Sequence, residues 1–260
     1  MQSNMVSTSG PIPRLTPEQL FVAGGLLVVA LVSWWITVVQ QSTMMDSGMF
    51  SLEPIALILF ASSWTIGMVA MMFPTTVPMM LMFFHVGRAA TPEIRAGGGP
   101  TVTKAALFIA SYIAVWAAVG VLIYLAIGAA NAIFPASALS ELVSSPLGIG
   151  MASLIVGFYQ LSPIKGECLD KCHPTNFLFK YYRGGRVGAV KMGILYAKYC
   201  VGCCWVMMVF LLLVATMGVL WMSVFAGLIF IERAIVHGKW PSRLIGIAFL
   251  SAGGIRLIIP

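Results

Sequence analysis

Apolar residues run along this chain in long blocks, with polar residues confined to short breaks between them. A helix needs roughly 20 apolar residues to cross about 30 Å of hydrocarbon. By that measure seven blocks predict membrane-spanning helices, at about 19–40, 54–86, 102–134, 144–163, 188–217, 219–237 and 241–259. The second and third are long enough to tilt or to project beyond a bilayer. The seventh is the weakest, because "SAGG" at 251–254 and Arg256 interrupt it. Gly218 predicts a tight turn between the fifth and sixth. Residues 1–18 are polar and rich in Pro and Ser, without the charged-then-apolar layout or small-residue cleavage site of a secretory signal. The expected organisation is a short polar tail, 1–18, followed by one all-α, polytopic transmembrane helix bundle over 19–260.

Charge gives this bundle a direction. The breaks after the second, fourth and sixth blocks hold Arg88, Arg95, Lys165, Lys171, Lys180, Arg183, Arg186, Lys239 and Arg243. The opposite breaks hold Asp46, Glu53 and Glu141, and no Lys or Arg. Lys and Arg collect in cytoplasmic loops, which predicts an N-terminus inside and a C-terminus outside. Only 9% of the 260 residues are charged and 60% are hydrophobic, whereas soluble domains carry about a quarter charged residues. The net charge of +7 therefore reports inner loops, and no basic run interleaved with aromatics points to nucleic acid. The expected surroundings are membrane lipid, in a multi-pass protein of the cell membrane.

Sulfur is the candidate chemistry. In "KYCVGCCWVMM", Cys200, Cys203, Cys204, Met207 and Met208 fall at i, i+3, i+4, i+7 and i+8, which is one stripe of a helix, with Trp205 and Val206 off it. The second block has a matching stripe of Trp64, Met68, Met71, Met72, Thr75, Met79 and Met82, interrupted by Pro74 and Pro78. Each proline lacks an N–H and crowds the carbonyl four residues earlier, a break tolerated at membrane depth where protein, water or a ligand meets the freed groups. His85 closes that block on the inner side. A third cluster, "LSPIKGECLDKCHP", places Cys168, Cys172 and His173 in what reads as an exposed cytoplasmic loop. All five cysteines thus lie between 168 and 204.

Thiolates and thioethers together are soft ligands that select Cu(I) over hard cations. Zinc prefers four Cys or His ligands and has little use for Met. An iron–sulfur cluster needs four thiolates in one place. A membrane thiol–disulfide relay is the rival, since Cys200 and Cys203 form a C-x-x-C with a second pair nearby. Against it, a helical i,i+3 pair sits near the limit of disulfide geometry. Packing alone is the third reading, because Cys and Met both fill cores readily.

Two charges lie inside the blocks. Lys198 is expected roughly 12–15 Å from the inner surface, and Glu232 on the next antiparallel helix at a similar depth. Intramembrane charges tend to pair, which predicts a Lys198–Glu232 ion pair. The alternative is that Lys198 snorkels inward and leaves Glu232 with Arg233 at the interface.

The motifs "WTIGMVAMMFP", "YQLSPIKGECLDKCHP" and "GILYAKYCVGCCWVMM", followed by "WM" and "IER", resemble a family of metal-binding integral membrane proteins associated with copper supply to polyphenol oxidases. The resemblance implies a protein that helps copper enzymes mature, and it carries over Cys168, Cys172, Cys200, Cys203 and Cys204. The family more often has Arg where this chain has His173, and Lys where it has Arg233.

The expected function is an integral membrane Cu(I)-binding protein that relays copper to a copper-dependent enzyme and needs no catalytic turnover of its own. Its metal-ligating residues are expected to be Cys168, Cys172, His173, Cys200, Cys203, Cys204, Met71, Met72, Met207 and Met208. Met44, Met45, Met49, Met217 and Met222 would form weak outer exit sites. An accessory subunit of a membrane copper oxidase or monooxygenase is the alternative, as is the thiol relay.

Overall fold

The computed structural model describes residues 15–44, 54–89, 99–135, 141–214, 218–235 and 240–258, and among them all regular structure is helical. Helix α1 (Pro17–Met44) starts with Pro17 at its first position and Glu18 in its first turn. Both suit a helix N-terminus, where the N–H is unused and the dipole favours an anion. Its partner α2 (Pro54–Ala89) runs unbroken through Pro74 and Pro78. The hydroxyls of Thr75 and Thr76 both donate to the Met72 carbonyl, each at 2.8 Å, within this proline-interrupted segment. Gln19 Nε2 donates to the Leu81 carbonyl at 3.1 Å, and Arg88 reaches Thr16 Oγ1 at 2.6 Å, so the end of α2 closes on the start of α1.

Helix α3 (Val102–Ile133) buries Ala105, Phe108, Tyr112, Trp116, Gly120, Tyr124 and Gly128, a residue every third or fourth position. That stripe faces α2 and the long helix α7 (Gly185–Leu213). Trp64 lies against Gly120 and donates its indole N–H to the Trp116 carbonyl at 3.1 Å. Small residues set the spacing of the other large interface. Helices α4 (Pro146–Leu161) and α9 (Trp240–Ile258) meet through Gly150 and Gly157 on one side and Gly246 and Gly253 on the other. A Cβ on Gly157 would stand 2.7 Å from Leu250 and 3.0 Å from the Gly246 carbonyl. Small residues at such spacing let helix backbones approach closely.

The block expected at 144–163 stops at Leu161 and bends by 61° into α5 (Pro163–Cys172). Pro163 explains the stop, because the residue before a proline is pushed out of the helical region. Ser162 then caps α5 by accepting from the Lys165 N–H at 3.2 Å. A second proline, Pro174, opens α6 (Pro174–Tyr181). The segment read from sequence as a loop is therefore two short helices. The sixth block is α8 (Val219–Phe230), which widens into a π-helical turn at Ile231–Ile235.

Among the described residues, five helices are long and apolar enough to cross a membrane: α1, α2, α3, α7 and α9, or six crossings if α4 and α5 count as one broken span. The last of them has the lowest mean hydropathy of the five, 1.2, as the interruptions in its sequence lead one to expect. Large apolar side chains cover the outside, including Phe21, Leu31, Ile58, Leu122, Phe158 and Leu220.

Candidate metal centre

The sulfur stripe of α7 faces inward. Cys200, Cys203, Cys204, Met207 and Met208 are all buried, while Trp205 is half-exposed. Val206, expected off the stripe, is buried as well, because helices pack around more than one side of α7. The stripe of α2 is buried too: Trp64, Met68, Met71, Met72, Thr75 and Met79 have almost no exposed surface, and Met82 is partly covered. His85, at the end of α2, is exposed.

The third cluster joins the first. Helix α5 folds back on α7, and Cys172 is buried rather than exposed. This corrects the exposed-loop expectation. The physical reason is the pair of proline-initiated helices, which turns a polar loop into packed structure. Cys168, half-buried, lies over Gly202: a Cβ there would stand 2.9 Å from Cys168 Sγ. The glycine in "CVGCC" thus makes room for a sulfur from another helix. Gly202→Ala should rotate the Cys168 side chain away from α7, measured as faster labelling of Cys168 by a maleimide. Unchanged labelling would show that α5 does not dock there.

Arg233, on the π turn after α8, lies where these elements meet. Its Nη1 donates to Cys200 Sγ at 2.8 Å and to Thr75 Oγ1 at 3.3 Å, and lies 3.9 Å from Met72 Sδ. Its Nη2 donates to Tyr196 Oη at 2.8 Å and to Cys172 Sγ at 3.3 Å. The guanidinium also sits 5.4 Å from the centroid of the Tyr196 ring, within cation–π range. Tyr112 Oη completes the surroundings, 3.1 Å from Cys200 Sγ. Sulfur from α2, α5 and α7 therefore converges on one buried cation. All five cysteines are free. Cys203 Sγ donates to the Cys200 carbonyl at 3.1 Å and lies 3.3 Å from Cys204 Sγ.

The expected Lys198–Glu232 pair does not form. Lys198 is exposed on the outer side of α7. Glu232 is buried and pairs instead with Lys165, whose Nζ lies 2.8 and 3.0 Å from its two carboxylate oxygens. Glu232 and Arg233 are both buried inside the bundle, Glu232 with Lys165 and Arg233 with the thiols. The bend at Ser162 supplies the reason, since it carries Lys165 inward. Gln160 accepts from Lys165 Nζ and donates to Glu232 Oε1 at 3.2 Å and to Met207 Sδ at 3.4 Å. This polar network therefore touches the sulfur stripe.

Sequence reasoning missed the parts played by Arg233, Lys165, Gln160, Tyr112 and Tyr196. The available signal was "IER" within an apolar block, since buried charges in such blocks mark functional sites. His173 caps α6, and its Nδ1 is 2.8 Å from Thr175 Oγ1. Met222 is buried near Gly67. Met45, Met49 and Met217, and the side chain of Met44, lie outside the described residues.

Among the described residues, no three His, Cys, Asp or Glu side chains are arranged as a ready-made metal site. Two thiols and a thioether around a fixed cation are a donor set suited to a soft metal ion of low charge.

No curated protein and no solved structure matches this chain. The PpoB2 family, described as a copper chaperone, matches residues 61–256. That range holds every cysteine, the methionine stripe of α2 and Arg233. The chain belongs to the PpoB2 family of copper chaperones.

Proposed function

We propose that this copper chaperone is an integral membrane protein that carries Cu(I) inside its helical bundle and hands it to a copper-dependent enzyme. The bundle sits in the cell membrane with its N-terminus inside, following the distribution of Lys and Arg. The observation that carries the reading is the convergence of Cys172, Cys200 and Met72 on Arg233, from three separate helices. Cys172 and Cys200 are the primary donors. Met72, Cys203 and Cys204 supply alternative donors within the same buried volume, with Met71 beside them.

Half-buried Cys168 is the entry thiol, and His173, next to Cys172, flanks that entry. Met207 and Met208, one to two turns further along α7, are the next stations for the ion. Neighbouring soft sites can exchange ligands, so an ion held tightly at any instant can still leave for a client. No chemical turnover is part of this scheme.

The test is copper content of the detergent-purified protein, loaded with Cu(I) under reducing conditions. Cys172→Ser and Cys200→Ser should each remove most of the bound copper. Cys168→Ser should slow loading while leaving final content near wild type. Wild-type copper content in both Cys172→Ser and Cys200→Ser would overturn the proposal.

A further inference from the structure

Arg233 is a buried charge with no carboxylate partner among the described residues. The carboxylate next to it in the chain, Glu232, is committed to Lys165 Nζ at 2.8 Å. The guanidinium is instead surrounded by two thiols, two hydroxyls, a thioether and an aromatic face. Its Nε is buried and has no hydrogen-bond partner among the described residues. Arginine stays protonated under essentially all conditions, so this positive charge is permanent. Burying one without a counter-charge is costly, and more so in a low-dielectric bundle. A site built this way is completed by an anion.

Resting on the chaperone reading above, we propose that Arg233 is the counter-charge for the cargo and makes the site selective for monovalent soft metals. The bound species is then an anionic cuprous dithiolate on Cys172 and Cys200. As Cu(I) enters, the two thiols release two protons to solvent and two S–Cu bonds form, with no change of oxidation state. One metal charge and two thiolate charges sum to minus one, and Arg233 brings the buried assembly to zero. A divalent ion on the same two thiolates is neutral, so the guanidinium charge stays uncompensated and the buried assembly is left at plus one. Arg233 is a specificity-determining residue in this scheme: its buried charge is balanced only by the monovalent complex, while it hydrogen-bonds both sulfur donors. Thr75, Tyr196 and the Tyr196 ring hold the guanidinium in place whether or not metal is bound.

The experiment measures Cu(I) affinity by competition with a chromophoric chelator, and Cu(I)-over-Zn(II) preference by metal analysis, in detergent-purified full-length protein. Arg233→Gln keeps hydrogen-bond donors and removes the charge; Arg233→Lys keeps the charge. Arg233→Gln should lose roughly a hundredfold or more in Cu(I) affinity, the scale of breaking a buried charge pair, and should shift preference toward Zn(II). Arg233→Lys should retain most of both properties. Wild-type affinity and preference in Arg233→Gln, with Cys200→Ser unable to bind copper, would overturn the charge proposal and leave the chaperone site standing. Copper binding that survives Cys200→Ser and Cys172→Ser would instead overturn the site itself. Should Arg233→Gln fail to fold, wild-type protein decides the matter by competition between Ag(I) and Cd(II), both soft. Ag(I) should displace Cu(I) and Cd(II) should not; efficient displacement by Cd(II) would overturn the proposal.

Discussion

Glu232→Ala should lower the unfolding free energy of the detergent-solubilised protein by roughly 3–5 kcal/mol, the usual cost of removing one partner from a buried ion pair. Lys165 and Glu232 are almost fully buried, with side chains 0% and 1% exposed. Without the carboxylate, the ammonium of Lys165 keeps only Gln160 as a hydrogen-bond partner among the described residues. The buried ammonium is then left without its counter-charge and can be solvated only by drawing water into the bundle. The effect should extend to function, because Gln160 links the pair to Met207. The double variant Lys165→Met, Glu232→Leu should recover much of the loss, since well-packed apolar residues often replace a buried pair without penalty. Thermal unfolding followed by tryptophan fluorescence measures both. A Glu232→Ala protein as stable as wild type would mean that the bend at Ser162 does not bring Lys165 inside.

The second large effect is expected at Gly193→Val. A Cβ at this position would stand 2.1 Å from Ser111 Oγ and 2.3 Å from the Phe108 carbonyl oxygen, where contacts under 3.0 Å are essentially never seen. The serine hydroxyl can rotate away; the Phe108 carbonyl belongs to the backbone of α3 and cannot. Helix α3 must therefore move off α7. Overpacking of this kind costs about 1–3 kcal/mol and sometimes more. The same seam holds Tyr112 at 3.1 Å from Cys200 Sγ, so copper affinity should fall together with stability. Gly227→Ala is the matched control, because nothing lies within 4 Å of a Cβ there. It should be neutral or slightly stabilising, given the higher helix propensity of alanine. Equal unfolding temperatures for Gly193→Val and the control would show that α3 and α7 are not in close contact.

The helical blocks, the inward face of "CVGCCWVMM" and the methionine stripe of α2 were legible in the sequence by itself. Each is a local property, since residues three and four apart share a helix face whatever the rest of the chain does. The concentration of sulfur on those two stripes was equally legible from residue type. Only the tertiary structure decided which groups meet. Lys165 and Glu232 are 67 positions apart, and Arg233 and Cys172 are 61 apart, distances over which helical periodicity carries no information. Those pairings depend on one turn, the break at Ser162 and Pro163, which converts an expected cytoplasmic loop into a helix lying against α7. The local rule placed Lys198 and Glu232 at similar depths, but it could not tell that Lys198 points outward while a lysine from the bend takes its place.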